Sequence, residues 1–211
     1  MALTFEQMYN LTSQSLIDKG GDPYMPSQTF DELANNATNI FCGKLYDEFQ
    51  KTQEVNDRLS PLVTNFSKTS ITQIIPSSGL PNYWRLLPME GLSVYDCNGV
   101  TKSDWRPITP LKFKESRGIT SDPFNKPSER NIYYTESNDL IEILSLGAIN
   151  VKGTYLKTPQ IVDYTNSPTT PSIFSNDVCE AICRMVAEQY WLTLGVVNNV
   201  QVQAAINEKS L

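Results

Sequence analysis

The sequence predicts an α+β fold: a helical bundle of two long helices and a short N-terminal helix, with an inserted antiparallel β-meander and extended loops. Three observations carry that expectation. Apolar residues recur at three- and four-residue intervals over 30–54 and again over 176–209, the period of an amphipathic helix. Between those stretches the helical period disappears and Ser, Thr and Pro become common. Within that middle region, 131–164 carries three strand signals in a row, separated by short breaks. At 211 residues the chain is long enough for a single domain. It divides into N-terminal helices over 1–62, a β-rich insertion with long loops over 63–164, and a C-terminal helix and tail over 175–211.

The first helix, over 4–19, opens at Thr4, Phe5, Glu6 and Gln7, which have the Thr-x-x-Gln form of a capping box. Gly20 and Gly21 stop it. After a loop with Pro23 and Pro26, Thr29 to Glu32 reads as a second capping box. Leu33, Ala37, Ile40, Phe41, Leu45 and Phe49 then trace one face of a helix over 30–54, with Asn35, Lys44, Asp47 and Lys51 on the opposite, solvated face.

Tyr83–Leu87 lies between prolines and reads as a strand, or as a turn leading into one, since the residue before each proline is pushed towards extended geometry. Leu92–Tyr95 continues it, and Asn98-Gly99 is a hairpin signal. Leu111 and Phe113 predict one further strand. Pro123, Asn125, Pro127 and Ser128 mark a long surface loop. The meander follows: Tyr133 and Tyr134, then Leu140 to Leu144, then Val151 to Leu156, closed by Pro159, which has no donor for a ladder. Thr165–Ser172 reads as a linker. Asp177 to Glu180 has the form of a capping box for the last helix, whose apolar band runs from Val178 to Val200 with Gly195 as a point of bending.

The formal charge of −6 argues against wrapping exposed nucleic acid, which requires clustered Lys and Arg. No run approaches the ~20 apolar residues of a membrane span, and the N-terminus lacks the basic and apolar regions of a signal peptide. The chain is therefore expected to be intracellular at synthesis. In that setting Cys42, Cys97, Cys179 and Cys183 read as buried reduced thiols rather than disulfides.

The sequence contains no histidine, which removes Ser-His and Cys-His nucleophile pairs and most catalytic zinc sites. The cysteine spacing has no C-x2-C knuckle, and neither phosphate-cradling glycine motif is present. The carboxylate pairs Glu136/Asp139 and Asp47/Glu48 sit in a turn and on a solvated helix, without the surroundings that would raise a carboxyl pKa. No residue is assigned a catalytic, cofactor-binding or metal-binding role, and no cofactor is expected. Trp84, Trp105 and Trp191 are candidate partner anchors, each weighed against ordinary core packing; Trp84 reads as core, and Trp191 as either.

The phrase from Tyr133 to Ile143, then Val151 to Pro159 and Ile161 to Tyr164, resembles a pattern of bacteriophage neck proteins. There a strand pair ends in a "Tyr-Leu-basic-x-Pro" phrase and is followed by a short linker and a terminal helix, here Val178–Ala205. Leu59–Leu62 with Leu80–Leu87 is similar to another phrase of the same group. The likeness covers about residues 59–205 and is closest to head-to-tail connector (adaptor or neck ring) proteins of crAss-like and related short-tailed phages; the 98–130 segment has no counterpart in it.

The resemblance implies a non-enzymatic virion protein at the head-tail junction, made in the host cytoplasm. It would assemble as a ring, commonly of about twelve copies closed by heterologous contacts. Its expected partners are itself, the portal protein and other tail or neck ring proteins, with DNA passing through the channel without sequence-specific binding and no membrane partner. The partner-binding residues expected on this basis are Trp191, Leu194, Val197, Val200, Val202, Ile206, Leu211, Tyr155 and Pro159. Two other readings stand beside it: a soluble protein-binding accessory module using the meander and long loop, and an enzyme without histidine that uses carboxylates or a thiol such as Cys97.

Overall fold

The computed structural model describes residues 2–20, 22, 24–48, 52–93, 105–119, 122, 124–128, 131–137 and 140–208, with the backbone alone at 92–93, 113–114 and 195–208. In chain order the elements are α1 (Phe5–Asp18), α2 (Ser27–Asp47), α3 (Gln53–Leu59), a 3-10 turn (Ser60–Leu62), β1 (Val63–Ile71), β2 (Gln73–Ile74), α4 (Pro76–Gly79), β3 (Tyr83–Ser93), β4 (Arg106–Pro107), β5 (Thr109–Pro110), α5 (Phe113–Ile119), β6 (Tyr133–Ser137), β7 (Leu140–Leu144), β8 (Ile149–Lys157) and α6 (Asn176–Glu208).

This overturns the expected architecture. Among the described residues there are six helices and two sheets of four strands each, not a bundle of two long helices carrying a small meander. The chain forms two compact units, Met1–Pro61 with Pro159–Leu211, and Leu62–Thr158.

In the first unit, α1 begins with the expected capping box. The Gln7 N–H donates to the Thr4 hydroxyl at 3.3 Å, and the Thr4 N–H donates to the Gln7 carboxamide at 2.9 Å. Gly20 follows at φ +74°, a backbone state that residues with a Cβ rarely adopt.

The helix expected over 30–54 is two helices. α2 starts three residues earlier, after Pro26, and makes no side-chain cap. It ends at Asp47, and Thr52 caps α3 by accepting the Val55 N–H at 3.3 Å. Thr29–Glu32 therefore lies inside a helix, and its carboxylate at Asp31 has another use. Phe30, Ala34, Ala37, Cys42 and Leu45 form the buried face of α2, against which α6 packs.

The stretch expected to be a linker, 165–172, belongs to an ordered strap over 159–175. The Phe5 and Glu6 N–H groups at the start of α1 donate to the carbonyls of Thr170 (3.1 Å) and Pro168 (2.9 Å). Those N–H groups have no intrahelical partner, so the strap satisfies them. Asn35 of α2 acts as a short piece of backbone: its Nδ2 donates to the Val162 carbonyl at 2.9 Å, and its Oδ1 accepts the Val162 N–H at 2.8 Å. The Asp31 carboxylate accepts the N–H groups of Tyr164 (2.7 Å) and Thr165 (3.1 Å). Tyr164 is thereby seated in stacked contact with Tyr9, ring centroids 4.5 Å apart, with Phe30 edge-on to both.

The second unit is a sandwich of two sheets, in the orders β1-β8-β3-β4 and β2-β7-β6-β5. Of the expected three-stranded meander only β6 and β7 pair, antiparallel from Tyr133↔Leu144 to Ser137↔Leu140. β8 crosses to the other sheet and lies between β1 and β3. There both rows of its backbone groups are paired, where the last strand of a meander would leave one row open.

The chain switches sheets within one residue at Thr72, between β1 and β2, and at Ile108, between β4 and β5. Each edge strand of one sheet thus runs directly into an edge strand of the other, with a register shift between Lys68 and Ile71 and Ser70 at φ 54° making one corner. β3 runs through Pro88, at a second register shift between Leu86 and Met89, where no donor is required.

The expected strand at Leu111 and Phe113 is divided. The Leu111 N–H still joins the ladder through the Tyr134 carbonyl at 2.8 Å, but Phe113 opens α5, whose first turn is set by Glu115 accepting the Lys112 N–H at 3.0 Å. The Asn98-Gly99 hairpin signal and Val94–Tyr95 lie outside the described residues.

The sandwich core is built from Leu86, Met89, Val151 and Tyr155 on one sheet and Ile74, Ile141 and Ile143 on the other. Two glycines let the layers close. A Cβ on Gly91 would stand 2.9 Å from Ile149 Cδ1 and 3.1 Å from Cδ1 of both Ile108 and Ile132. On Gly153 it would stand 2.8 Å from Met89 Cγ and 3.1 Å from the Phe66 ring.

Candidate partner interface

The first turn of α6 is held from two directions. The Ser175 hydroxyl donates to the Asp177 carboxylate, and Arg58 of α3 pairs with Asp177 at 3.4 Å while also bonding Glu54 at 2.8 Å. The Ser175 hydroxyl first, then backbone N–H groups and the Arg58 charge, hold the Asp177 carboxyl below the usual carboxylate range.

Over the next three turns α6 buries Val178, Cys179, Ile182, Cys183, Val186 and Ala187. The Cys183 thiol donates to the Met8 carbonyl at 3.3 Å, and that of Cys179 to the Phe174 carbonyl at 3.8 Å. Burial pushes the thiols of Cys183 and Cys42 up to about 12 and raises that of Cys179 as well. These three cysteines are free, buried and protonated, the state expected of them from the sequence; Cys97 lies outside the described residues.

Ala187 is the last buried residue of α6 among those whose side chains are described. The helix runs on from Glu188 to Glu208, roughly 30 Å at 1.5 Å per residue. Where side chains are described, this half shows its surface: Trp191 is 43% exposed and Leu192 54%, while Tyr190 and Leu194 are half-buried. Tyr24 adjoins it, 70% exposed, its carbonyl accepting the Tyr190 hydroxyl at 3.4 Å and its N–H held by the Asp22 carboxylate at 2.9 Å. Large apolar side chains gathered at one exposed place mark a contact surface more than a scattered one does.

The residues expected to bind partners separate into three groups. Trp191, exposed, and Leu194, half-buried, lie on α6 beyond Ala187, and positions 197, 200, 202 and 206 are on the same continuous helical backbone. Leu211 lies outside the described residues. Tyr155 and Pro159 are elsewhere and are buried: Tyr155 is 2% exposed in the sandwich core, its hydroxyl donating to the Pro81 carbonyl at 3.0 Å. They serve packing and offer no surface to a partner. Tyr24 and Leu192 are exposed apolar residues of this surface outside the expected set, Leu192 belonging to the apolar band of the last helix. The signal for Tyr24 was two large residues, Tyr24 and Met25, held between prolines; Met25 is buried and Tyr24 is turned outward.

Trp84 and Trp105 are both half-buried in the sheet unit, with the Arg85 guanidinium 5.4 Å from the Trp84 ring and Lys152 Nζ 4.5 Å from that of Trp105. Among the described residues, no helix is long and apolar enough to cross a membrane, and no group of three or more His, Cys, Asp or Glu is placed to hold a metal ion. A scan against protein-family models finds no match, and a search of curated proteins finds no significant relative.

Proposed function

We propose that this chain is a structural, non-enzymatic subunit of a bacteriophage virion. It forms a ring in the head-to-tail connector, meets the portal protein and the next tail component, and lines the channel through which DNA passes. The observation that carries this reading is α6, which is gripped by its own unit as far as Ala187 and then continues as helical backbone for roughly 30 Å, with Trp191 and Leu192 exposed. A helix with a buried root and exposed apolar side chains just beyond it suits an assembling subunit. The net charge of −6 suits a channel wall, because phosphate contacts that are never made cannot hold the DNA in place. The likeness of the 131–164 and 178–205 phrases to phage neck proteins supports the same reading.

The test is to mix the purified chain with portal assemblies and follow the products by native mass spectrometry and negative-stain microscopy. Closed rings that co-migrate with portal are expected. A strict monomer with no affinity for portal would remove the proposal.

A second reading, a protein-binding accessory module, is favoured by Phe124 and Leu146 of the sheet unit, which are 88% and 73% exposed. A one-to-one complex in place of a ring would select it.

A further inference from the structure

Each unit of this chain carries an exposed apolar feature, and the two are opposite in form and in charge. The first is Phe124 of the sheet unit, the most exposed large apolar side chain among the described residues. Its turn is braced: the Asp122 carboxylate accepts the N–H groups of Phe124 at 2.8 Å and Asn125 at 3.1 Å, and the Lys126 N–H donates to the Asp122 carbonyl at 3.1 Å. The ring is thus held outward before any partner arrives, which lowers the ordering cost of binding. Lys126 stands two residues from it, exposed. The sequence around it is basic, since residues 112–130 hold five Lys and Arg against three Asp and Glu in a chain of formal charge −6.

The second feature is the patch of Tyr24, Trp191 and Leu192 on the helical unit. Its rim is acidic. Glu188 is exposed one turn before Trp191 and Leu192, at the three- and four-residue spacings that share a helix face. Asp22 is exposed beside Tyr24, whose N–H it accepts. Arg184, one turn further back, is already paired with Glu180 at 3.8 Å. Tyr and Trp are the side chains that most often carry the energy of a protein interface, while rim charges select the partner.

An aromatic knob with a cation beside it matches an aromatic patch with carboxylates at its edge. Every copy of the chain carries both, on different units. A contact between two unlike surfaces of identical copies passes from each copy to the next, and it closes as a ring where the rotation allows. We infer that Phe124 of one copy seats against Tyr24, Trp191 and Leu192 of the next, with Lys126 facing Glu188 and Asp22. This rests on the ring reading and specifies the contact that closes the ring. Leu146 is also exposed, but its turn of Ser145, Gly147 and Ala148 carries no charge to match the patch, and it stays outside the contact.

The test uses the full chain, comparing wild type with Phe124→Ser, Leu192→Lys, Lys126→Glu and Leu146→Ser by sedimentation and native mass spectrometry. Phe124→Ser and Leu192→Lys should each associate on the order of 100-fold more weakly than wild type, as loss of a central anchor does. Lys126→Glu should be about 10-fold weaker, and Leu146→Ser should associate like wild type. All four should keep the thermal midpoint of wild type, because the side chains changed are exposed. The decisive sample is a mixture. Phe124→Ser keeps its patch and Leu192→Lys keeps its knob, so together they should form a one-to-one dimer and stop there, although neither associates alone.

Rings that form as readily from Phe124→Ser as from wild type would overturn this contact and leave the ring reading standing. A mixture of the two variants that stays monomeric where wild type forms rings would do the same. A wild-type chain that stops at a dimer, lost in Phe124→Ser, would support the contact and overturn the ring. A wild-type chain that stays monomeric at every concentration, with portal or without it, would overturn both.

Discussion

The two units fasten irregular chain by opposite means. In the helical unit the strap over 159–175 carries few core side chains and is fixed by hydrogen bonds from single residues: Asn35 to Val162, Asp31 to Tyr164 and Thr165, and Gln160, whose carboxamide accepts the Ile173 N–H at 2.9 Å and donates to the Pro171 carbonyl at 3.3 Å. In the sheet unit the layers close over two positions that carry no side chain, with isoleucines meeting over Gly91, Ile108 of one corner among them, and with Met89 and Phe66 meeting over Gly153. One unit depends on particular polar groups to hold its strap. The other depends on the absence of a side chain at two places.

The largest effect expected from this contrast is at Gly91. Gly91→Val would press three isoleucine methyls that already stand 2.9–3.1 Å from the first added carbon. Overpacking of that kind should cost about 3 kcal/mol, read as a lower urea midpoint with unchanged slope, and Gly91→Ala should cost less. A Gly91→Val chain as stable as wild type would break the claim that volume sets this unit.

Next in size is Asn35. Asn35→Ala leaves the Val162 N–H and carbonyl without partners in a half-buried place, a loss of about 2 kcal/mol. The sharper comparison is Asn35→Leu, which restores the bulk but not the bonds. It should be no better than Ala in the same urea titration. If Leu rescued stability, the strap would be held by packing and the two units would not differ in the way described.

That contrast also decides what could be read from the sequence. Regular helices announce themselves locally, so α1 with its Thr4/Gln7 box and α6 over nearly its whole length were legible. Strands β6 and β7 were legible for the same reason, being neighbours in sequence as well as in the sheet. β1 was not: Val63–Ile71 is rich in Ser, Thr and Lys, and it becomes a strand by pairing with β8, 78–93 residues away. The sheet to which β8 belongs is likewise decided by β1 and β3, not by its own residues.

The strap shows the same limit more clearly. Asp31 and Asn35 look like a cap and a solvated face, and their partners lie 127–134 residues further on. The half of α6 beyond Ala187 was legible as an apolar helix. That the helix is buried as far as Ala187 and exposes Trp191 and Leu192 depends on α1 and α2, whose reach along α6 no local pattern states.

The effect that is smallest near neutral pH is an alkaline pH dependence of the helical unit, where Cys42, Cys179 and Cys183 all lie. Burial raises Cys42 and Cys183 from 9.0 to about 12, so the folded chain keeps protons that the unfolded chain gives up. The sign follows: between those values the native state binds more protons, and stability falls as pH rises. The contribution is complete below about pH 9 and is lost as pH climbs through about 12. Thermal midpoints taken from pH 8 to pH 11 should therefore decline, and the decline should be shallower in a chain with Cys42→Ala and Cys183→Ala, whatever those changes do to the midpoint at pH 8. Alkylation gives an independent reading, because only a thiolate reacts. At pH 8 both cysteines should resist iodoacetamide in the native chain and react once it is unfolded in urea. Native-state labelling at the rate of a free thiol would mean that the helical unit opens around α6 far more readily than its buried root implies.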